Sequence, residues 1–206
     1  VDEMEWLMKE YNANEFEFFD LTAIVKKSWI LAFCDEIKKR GIKDIAWQLP
    51  IGTRSESLDD DTLKAIYETG CLYITYAPES GSEKTLNLIK KRVKLDKMFK
   101  SIKSANNIGL TTRINLIIGF PDEKLIDCIK TFLLGIYCVI KFGVSDVYLG
   151  IFTPYPGSEL FEQLKKEKKV KLDDNYFNKL FIQTDVTRAD TYCKHVSSTM
   201  LATIRF

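Results

Sequence analysis

The stretch TTRINLIIGFPDE, at residues 111–123, decides the fold class of this chain. Its first eight residues are mostly β-branched or apolar and predict a strand, which the glycine and proline of GFP then end. Four other runs have the same character, and each is soon followed by aspartate or proline. They occupy residues 15–19, 44–49, 72–77 and 146–152.

The spacing of the five predicted strands indicates how they pair. Their starts are 29, 28, 39 and 35 residues apart, and a parallel connection needs about 30 residues because its crossover contains a helix. The chain is therefore predicted to be an α/β protein with a parallel sheet. Five strands are fewer than those of a complete (β/α)8 barrel, so a partial, open TIM-type barrel is favoured, with a doubly wound open sheet as the alternative.

Helical periodicity fills the intervals between the predicted strands. Helices with one apolar face are predicted over residues 26–40, 59–69, 95–107, 124–142 and 158–168, most of them ending near a glycine. The alternation of predicted strands and helices ends near residue 170, and residues 172–181 and 196–204 are predicted to be further helices. We therefore predict a partial barrel over residues 1–165 and a helical extension over residues 166–206 that packs on the same domain.

The composition disfavours several classes of protein. The 206 residues include 30 Lys and Arg against 29 Asp and Glu, so the net charge of +1 gives no basic field for nonspecific nucleic-acid binding. No long apolar run lacks a charge, which predicts a soluble chain without a membrane partner. The start of the chain is acidic where a secretory signal is basic and then apolar, so a cytoplasmic location is expected.

The cysteines carry no recognisable metal or disulfide motif. They are far apart in the sequence and form neither CxxC nor CxxxCxxC. We interpret all five as reduced thiols, and the one that follows the glycine at position 70 as a core residue. The five are Cys34, Cys71, Cys128, Cys138 and Cys193.

Polar segments with glycine or proline follow the C-terminal ends of the predicted strands. They contain Asp20 and residues 52–54, 78–82, 119–123 and 154–158. In a parallel barrel these strand ends form the rim that carries the active site, whereas the glycines that end the helices lie on the opposite rim. Strand termination accounts for the glycines and prolines, but not for the polar groups that accompany them on one rim.

Five segments, in order and in register, resemble a known family. They read GTRSE at 52–56, APESGS at 77–82, IKK at 89–91, IIGFPDE at 117–123 and TPYPGS at 153–158. Together they are similar to the radical S-adenosylmethionine (radical SAM) Fe-S oxidoreductases, in particular to the branch that is often fused to a cobalamin-binding domain. The resemblance covers residues 1–165.

The resemblance implies a fold, cofactors and a reaction class. Such enzymes are open (β/α)6 barrels with a 4Fe-4S cluster in a CxxxCxxC loop after the first strand. They cleave SAM reductively to a 5′-deoxyadenosyl radical, or use it with cobalamin for radical methylation. This chain contains no such loop, so the resemblance implies that its strands correspond to strands two to six. The chain is then expected to be an inactive fragment of a parent enzyme whose substrate the sequence does not indicate.

By the same resemblance, polar residues at several strand ends are expected to contact SAM. Asp20 is the candidate for the methionine amino group, although it also suits a turn or a helix cap. Glu79 and Ser80 are candidates for the ribose hydroxyls, with a strand-end turn as the alternative. Arg54 is a candidate for the cofactor carboxylate or an anionic substrate, with pairing to Glu56 as the alternative.

The segment after residue 118 is expected to contact adenine. Gly119, Phe120 and Pro121 match the family element that lies against this ring, because a residue without Cβ lets the backbone approach closely. Glu123 is then expected to cap the next helix. His195 is predicted to be a surface or packed residue, and the basic run at residues 90–92 is predicted to be exposed to solvent.

Two further expectations concern partners. If a first strand is absent, the strand at residues 15–19 has an unpaired edge, and self-association or local disorder near residues 15–20 is expected. The alternative function is a non-catalytic barrel that binds a nucleotide or a protein partner.

Overall fold

The computed structural model describes residues 1–20, 23–53, 58–181 and 191–205. Its strands are β1 (Glu15–Glu17), β2 (Ala46–Thr53), β3 (Cys71–Glu79), β4 (Thr111–Ile118) and β5 (Asp146–Ile151). Its helices are α1 (Asp2–Tyr11), α2 (Lys27–Lys39), α3 (Asp60–Glu68), α4 (Glu83–Leu88), α5 (Leu95–Asn107), α6 (Leu125–Phe142), α7 (Glu159–Lys166), α8 (Asp174–Phe181) and α9 (Ser198–Arg205). Strands and helices alternate through most of the chain, as in an α/β protein.

The strands form one sheet in the order β1-β2-β3-β4-β5. β1 and β3 both pair with β2 in parallel, with Phe16 opposite Trp47 and Leu49 opposite Ile74. Among the described strands β1 and β5 are not neighbours, so the sheet is open. The predicted fold class, a parallel α/β sheet that does not close, is confirmed.

β2 is longer than predicted and continues past Pro50. Its pairing with β3 is irregular between Leu49 and Thr53, so Pro50 lies at a bulge, where the ladder needs no hydrogen bond from a proline nitrogen. From the sequence, this proline was the predicted end of the strand. The bulge explains why the strand extends to Thr53 instead.

Contacts within the chain divide it into two compact units. Unit 1 comprises Val1–Pro78, Arg92–Asn115 and Gly135–Tyr148, and unit 2 comprises Glu79–Lys91, Leu116–Leu134 and Leu149–Phe206. Each unit combines segments that are distant in sequence. The predicted division at residue 165 stays a prediction.

Unit 1 buries one face of its strands beneath helices. Five residues at alternate positions of β2, β3 and β4 are at most 2% exposed, as the two-residue period of a strand requires. Phe33 of α2 packs edge-on against Trp47 at 5.6 Å between ring centroids, and Ser101 of α5 hydrogen-bonds the Tyr76 hydroxyl at 2.9 Å. The buried strand residues are Trp47, Leu49, Ile74, Tyr76 and Ile114.

Local signals fix the ends of the helices in unit 1. Asp59 caps α3, because its carboxylate accepts a hydrogen bond from the Thr62 amide at 3.1 Å. Gly70 follows α3 with a φ of 93°, a conformation that glycine adopts without steric cost. A Cβ on Gly70 would lie 2.2 Å from the Ile45 carbonyl oxygen. This connection therefore requires glycine.

The described residues of unit 2 form two apolar clusters. In the first, the rings of Phe120 and Phe152 lie 4.8 Å apart and pack with Phe161 and Tyr176. The second cluster includes residues from the C-terminal segment, which is therefore part of the core of this unit. Its buried members are Ile118, Cys128, Ile151, Val196 and Leu201.

α6 carries many exposed apolar side chains. Ile126, Leu133 and Ile140 are 55%, 53% and 80% exposed, which explains why its sequence is unusually apolar for a helix of this kind. No helix within the described ranges combines the length and apolar character that a membrane crossing requires.

Candidate functional site

Glu79 ends β3 in a strained backbone conformation. Its φ is 70°, in the left-handed region that costs a non-glycine residue about 1–2 kcal/mol. Its carboxylate is partly exposed and pairs with the Lys91 ammonium at 2.8 Å. The end of β3 thus presents a charged acceptor that hydroxyl donors can reach.

The loop after β3 is tied to α6 by buried hydrogen bonds. The Ser80 hydroxyl lies 2.8 Å from the Thr131 hydroxyl, and the Gly81 amide donates to the same Thr131 oxygen at 3.1 Å. The Ser82 hydroxyl donates to the Asp127 carboxylate at 2.7 Å. A Cβ on Gly81 would meet the backbone of α6 at 2.5 Å. Glycine is therefore needed for this close approach.

Asp127 is a nearly buried carboxylate in the first turn of α6. Burial by itself raises its pKa, but the Ser82 hydroxyl, the Lys124 amide and the charge of Lys84 together outweigh burial, so the pKa lies below its ordinary value. The carboxylate accepts from the Lys124 amide at 3.1 Å and thereby caps the helix. Asp127 therefore fixes the loop after β3 to the start of α6.

Glu123 organises the turn after β4. It is 1% exposed, and its carboxylate accepts from the Gly119 amide at 2.6 Å, the Phe120 amide at 3.0 Å and the Thr85 hydroxyl at 2.9 Å. Burial raises the pKa of Glu123, although these donors oppose the increase. We expected Glu123 to cap the following helix. Instead it closes the turn that precedes this helix, and Asp127 provides the cap.

The C-terminal segment contacts the same turn. The Lys194 amide donates to the Pro121 carbonyl at 2.9 Å, and the Lys194 ammonium pairs with Asp122 at 2.8 Å. Gly119 has a φ of 85°, and a Cβ there would lie 2.7 Å from Leu201 Cδ1. The absent side chain of Gly119 therefore makes room for Leu201.

Two side-chain hydrogen bonds connect the segment after β3, which includes α4, to the turn after β4 and to the first turn of α6. One runs from Ser82 to Asp127 and the other from Thr85 to Glu123. Most of the polar groups that the sequence placed on this part of the rim therefore bond to one another. The network belongs entirely to unit 2.

The predicted SAM contacts differ in how accessible they are. Asp20 is exposed just beyond β1, and Glu79 keeps a partly exposed carboxylate. Ser80 is fully buried, and Phe120 is 4% exposed. Arg54 and its alternative partner at position 56 lie outside the described residues. Solvent, and hence a cofactor, reaches the carboxylates of Asp20 and Glu79 more readily than the Ser80 hydroxyl.

The face of the sheet that points away from the helices of unit 1 is polar, a feature that was not among the predictions from the sequence. Parallel sheets normally carry apolar residues on both faces, and the interior of a packed (β/α)8 barrel is filled by Val, Ile and Leu. A polar face whose side chains, apart from the buried Thr75, are partly exposed therefore indicates a space for solvent or a ligand. Its side chains include Gln48, Tyr73, Thr75, Arg113, Asn115 and Tyr148.

The sequence contained a signal for this polar face. Arg113 and Asn115 occupy alternate positions of β4, between the buried residues Thr112, Ile114 and Leu116. In a strand covered on both faces, the odd positions would be aliphatic as well. The alternation was therefore evidence for a functional face as much as for a strand.

The cysteines do not provide a site for a 4Fe-4S cluster. Four of them are buried, and Cys193 is partly buried. Within the described residues no three His, Cys, Asp or Glu side chains converge as metal ligands would. Burial raises the pKa of Cys128 and of Cys138 to about 12, which disfavours the thiolate form that binds iron. The residues present therefore do not fit this cofactor.

The other side chains noted in the sequence lie outside the two regions described above. His195 is exposed. Lys90 pairs with Glu159 at 2.5 Å, with both side chains mostly in solvent, and such pairs contribute little to stability. Cys71 is fully buried, as predicted for a core thiol.

Sequence comparison with curated proteins finds relatives that are named as enzymes. An uncharacterized methyltransferase of Pyrococcus horikoshii is 31% identical over 162 residues, which are 79% of this chain and 34% of the relative. The anaerobic magnesium-protoporphyrin IX monomethyl ester cyclase of Rubrivivax gelatinosus is 22% identical over 190 residues, which are 92% of this chain and 33% of the relative. The chain thus spans about one third of the length of these relatives. No protein-family model matches the chain.

Comparison with solved structures identifies the fold. The radical S-adenosylmethionine methyltransferase TsrM from Kitasatospora setae, with cobalamin and a [4Fe-4S] cluster bound, superposes with a TM-score of 0.64 and 13% identity. The match covers 81% of this chain and 31% of TsrM. The fold is therefore that of the radical SAM enzymes. Together with the sequence relatives, this fold supports the resemblance to the radical SAM superfamily.

Proposed function

We propose that this chain supplies the ligand-facing sheet of a radical SAM enzyme. The observation that carries the proposal is the polar face of the sheet in unit 1, at positions where a packed parallel sheet would hold aliphatic side chains. The relatives support the same class, because they include a methyltransferase, a cyclase and a cobalamin-bound radical SAM methyltransferase.

Two reaction classes are consistent with this proposal. One is reductive cleavage of SAM to a 5′-deoxyadenosyl radical, and the other is cobalamin-dependent methylation of an unactivated carbon. In both classes the cofactors supply the chemistry, and the protein orients the reactants and excludes water. The relatives include a cyclase as well as methyltransferases, so the proposal keeps both classes.

Within unit 2, Glu79 is the side chain that we assign to the ribose of SAM. Its carboxylate is partly exposed at the end of β3, and Lys91 holds it in place. A carboxylate accepts hydrogen bonds from two hydroxyl groups at once. The roles proposed for Asp20, Arg54, Ser80 and residues 119–121 stay predictions.

The sequence contains no CxxxCxxC motif, and the described residues hold no ligand set for a 4Fe-4S cluster, so the proposal assigns its thiolates to cysteines that are not among these 206 residues. A cytoplasmic location of the protein belongs to the same proposal. The alternative, a barrel that binds a nucleotide or partner without catalysis, makes a different prediction for the complete protein.

The test uses the complete protein that the gene encodes, reconstituted anaerobically with iron and sulfide and then supplied with SAM and a reductant. We expect 5′-deoxyadenosine or S-adenosylhomocysteine, measured by mass spectrometry. The 206-residue chain is the matched control and is expected to hold no cluster and to bind SAM weakly, because the chelating iron is lost. A complete protein that forms neither product would support the non-catalytic alternative.

A further inference from the structure

Arg113 on β4 is held in place by three neighbouring side chains. Its Nε donates to the Asn115 side-chain oxygen at 3.0 Å and lies 3.3 Å from the Asp146 carboxylate. Its guanidinium carbon lies 5.2 Å from the centroid of the Tyr148 ring, a contact that favours a cation over the ring face. The orientation of the guanidinium is therefore fixed through its Nε edge and one face.

The two terminal nitrogens of Arg113 have no hydrogen-bond partner among the described residues, and the side chain is 29% exposed. These nitrogens form a planar fork of N–H donors that matches the two oxygens of a carboxylate or phosphate. Because neighbouring groups already occupy the Nε edge, the fork is the part of Arg113 that faces a ligand.

Thr75 provides a second, independent observation on the same face. It is fully buried, and its hydroxyl is the one buried side-chain oxygen or nitrogen in the described residues without a hydrogen-bond partner. Its strand neighbours Ile74 and Tyr76 point to the helices, so Thr75 points to the polar face. Buried hydroxyl groups are nearly always hydrogen-bonded, and this exception marks a place for a polar group of a ligand.

Asn115 connects the two observations. Its side-chain oxygen holds Arg113, and its side-chain nitrogen reaches the Ile51 carbonyl at 3.4 Å. Since β3 lies between β4 and β2 in the sheet, this side chain crosses the strand that carries Thr75. The long contact to Ile51 is one that a ligand displaces at little cost.

The charges on this face favour a singly charged ligand. Asp146 already balances Arg113, and Glu17 adds a negative charge where it accepts a hydrogen bond from Gln48. A carboxylate meets the fork with one charge, whereas a phosphate brings about two charges toward these acidic groups. The face therefore suits a carboxylate better than a phosphate.

We propose that Arg113, positioned by Asn115, Asp146 and Tyr148, binds a carboxylate group of the substrate. The proposal rests on the proposed function, for which it names a substrate class. Its test requires neither a cluster nor SAM. If the chain does not bind a carboxylate but the complete protein forms the expected product, only the carboxylate site is rejected. If the chain binds a carboxylate but the complete protein forms no product, only the enzymatic function is rejected.

The test is a nuclear magnetic resonance titration of the 206-residue chain with benzoate, which carries a carboxylate, and with its neutral analogue benzamide. We expect benzoate to shift the Nε–H signal of Arg113 and the amide signals of Thr75 and Asn115, saturating at about millimolar concentration. Benzamide is expected to bind at least about tenfold more weakly. Equal shifts with both compounds would show binding of the aromatic ring and would overturn the proposal.

Two variants test whether benzoate binding depends on the planar fork of Arg113 or only on its positive charge. Arg113→Lys keeps the charge but removes the fork, and we expect about tenfold weaker benzoate binding. Arg92→Lys, at an exposed position of the same unit, is the matched control and should bind as the unaltered chain does. Indistinguishable affinities of the two variants would refute the site.

A third variant tests the site without removing Arg113, and a third ligand tests whether the site prefers a carboxylate to a phosphate. Asn115→Asp keeps Arg113 but places a carboxylate beside it, so the affinity for benzoate should fall by about tenfold or more. The amide spectrum should show that this variant is folded. Unchanged binding would count against the proposal. Phenyl phosphate should bind more weakly than benzoate, and tighter binding of phenyl phosphate would overturn the assignment to carboxylate.

Discussion

The polar groups of unit 1 and unit 2 differ in whether the protein itself satisfies them. In unit 2, Glu123 and Asp127 are nearly buried, yet each accepts several hydrogen bonds from the turns after β3 and β4. In unit 1, the sheet face is half-exposed, and Thr75 has no partner among the described residues. A satisfied polar network holds a structure together, whereas unsatisfied polar groups cost free energy and persist where a ligand uses them.

The strongest test of this contrast is Glu123→Ala in unit 2. The substitution leaves two buried amides and the Thr85 hydroxyl without their acceptor, so we expect the free energy of unfolding to fall by about 3 kcal/mol or more. Chemical denaturation measures the change. Glu123→Gln, which keeps one acceptor oxygen, should lose clearly less. Equal losses in the two variants would contradict this expectation, because they would show that the one acceptor oxygen of Gln preserves none of the network.

The pH dependence of stability provides a second test of the buried Glu123 carboxylate. The pKa of Glu123 is raised above its ordinary 4.5, so its contribution to stability is fully present below pH 4.5 and is lost as the pH rises through the folded-state value, by about 1.4 kcal/mol for each pKa unit. Glu123→Gln should remove this decline in denaturation midpoints measured between pH 4 and about pH 7.

Asp127→Asn provides the control of opposite sign. The pKa of Asp127 is lowered below its ordinary 3.8, so its contribution is present above pH 3.8 and is lost as the pH falls through the folded-state value. The Asn variant should therefore differ from the unaltered chain above pH 3.8 and approach it in strong acid. Parallel pH profiles for the two variants would contradict both assignments.

A matched pair of threonines compares satisfied and unsatisfied hydroxyls within unit 1. Thr112 is as buried as Thr75, but its hydroxyl donates to the Asn106 side chain at 2.8 Å. Thr112→Val should lose about 1 kcal/mol of unfolding free energy, whereas Thr75→Val should lose nothing or gain slightly. Thermal or chemical denaturation measures both. A larger loss at Thr75 would mean that its hydroxyl is already satisfied in solution.

The smallest expected effect concerns β1, which is an edge strand among the described strands. Self-association near residues 15–20 stays a prediction, and Phe19 is 65% exposed beside this edge. Phe19→Lys should weaken association of the chain by about threefold or more, because it removes apolar surface and adds charge. Sedimentation velocity over a range of concentrations measures it, with Tyr155→Lys as the control. If the unaltered chain is a monomer at every concentration, the prediction of self-association is wrong.

Much of the fold was predictable from local patterns. The strand at residues 111–118 has the bounds predicted from its composition and the glycine that follows, and α5 likewise has its predicted bounds. α4 was not predicted, because six residues are too few to show helical periodicity. The first strand spans only Glu15–Glu17, and β2 passes the proline that was expected to end it.

The candidate site was predictable only in outline. The resemblance located the polar segments on one rim, but it did not indicate that Ser80 bonds to Thr131 or that Leu201 fills the space beside Gly119. These partners are 51 and 82 residues away in the sequence. No local pattern encodes such contacts, because they depend on how α6 and the C-terminal segment pack.

The sequence by itself determined the class of the protein: strand spacing set the parallel sheet, and five segments in register indicated the radical SAM superfamily. Tertiary structure decided which polar residues serve the fold and which face a ligand. The physical reason is that a serine or a glycine looks the same in a sequence whether its partner is the protein or a cofactor. Only packing shows that Glu123 is enclosed by donors, while no described residue accepts a hydrogen bond from the terminal nitrogens of Arg113.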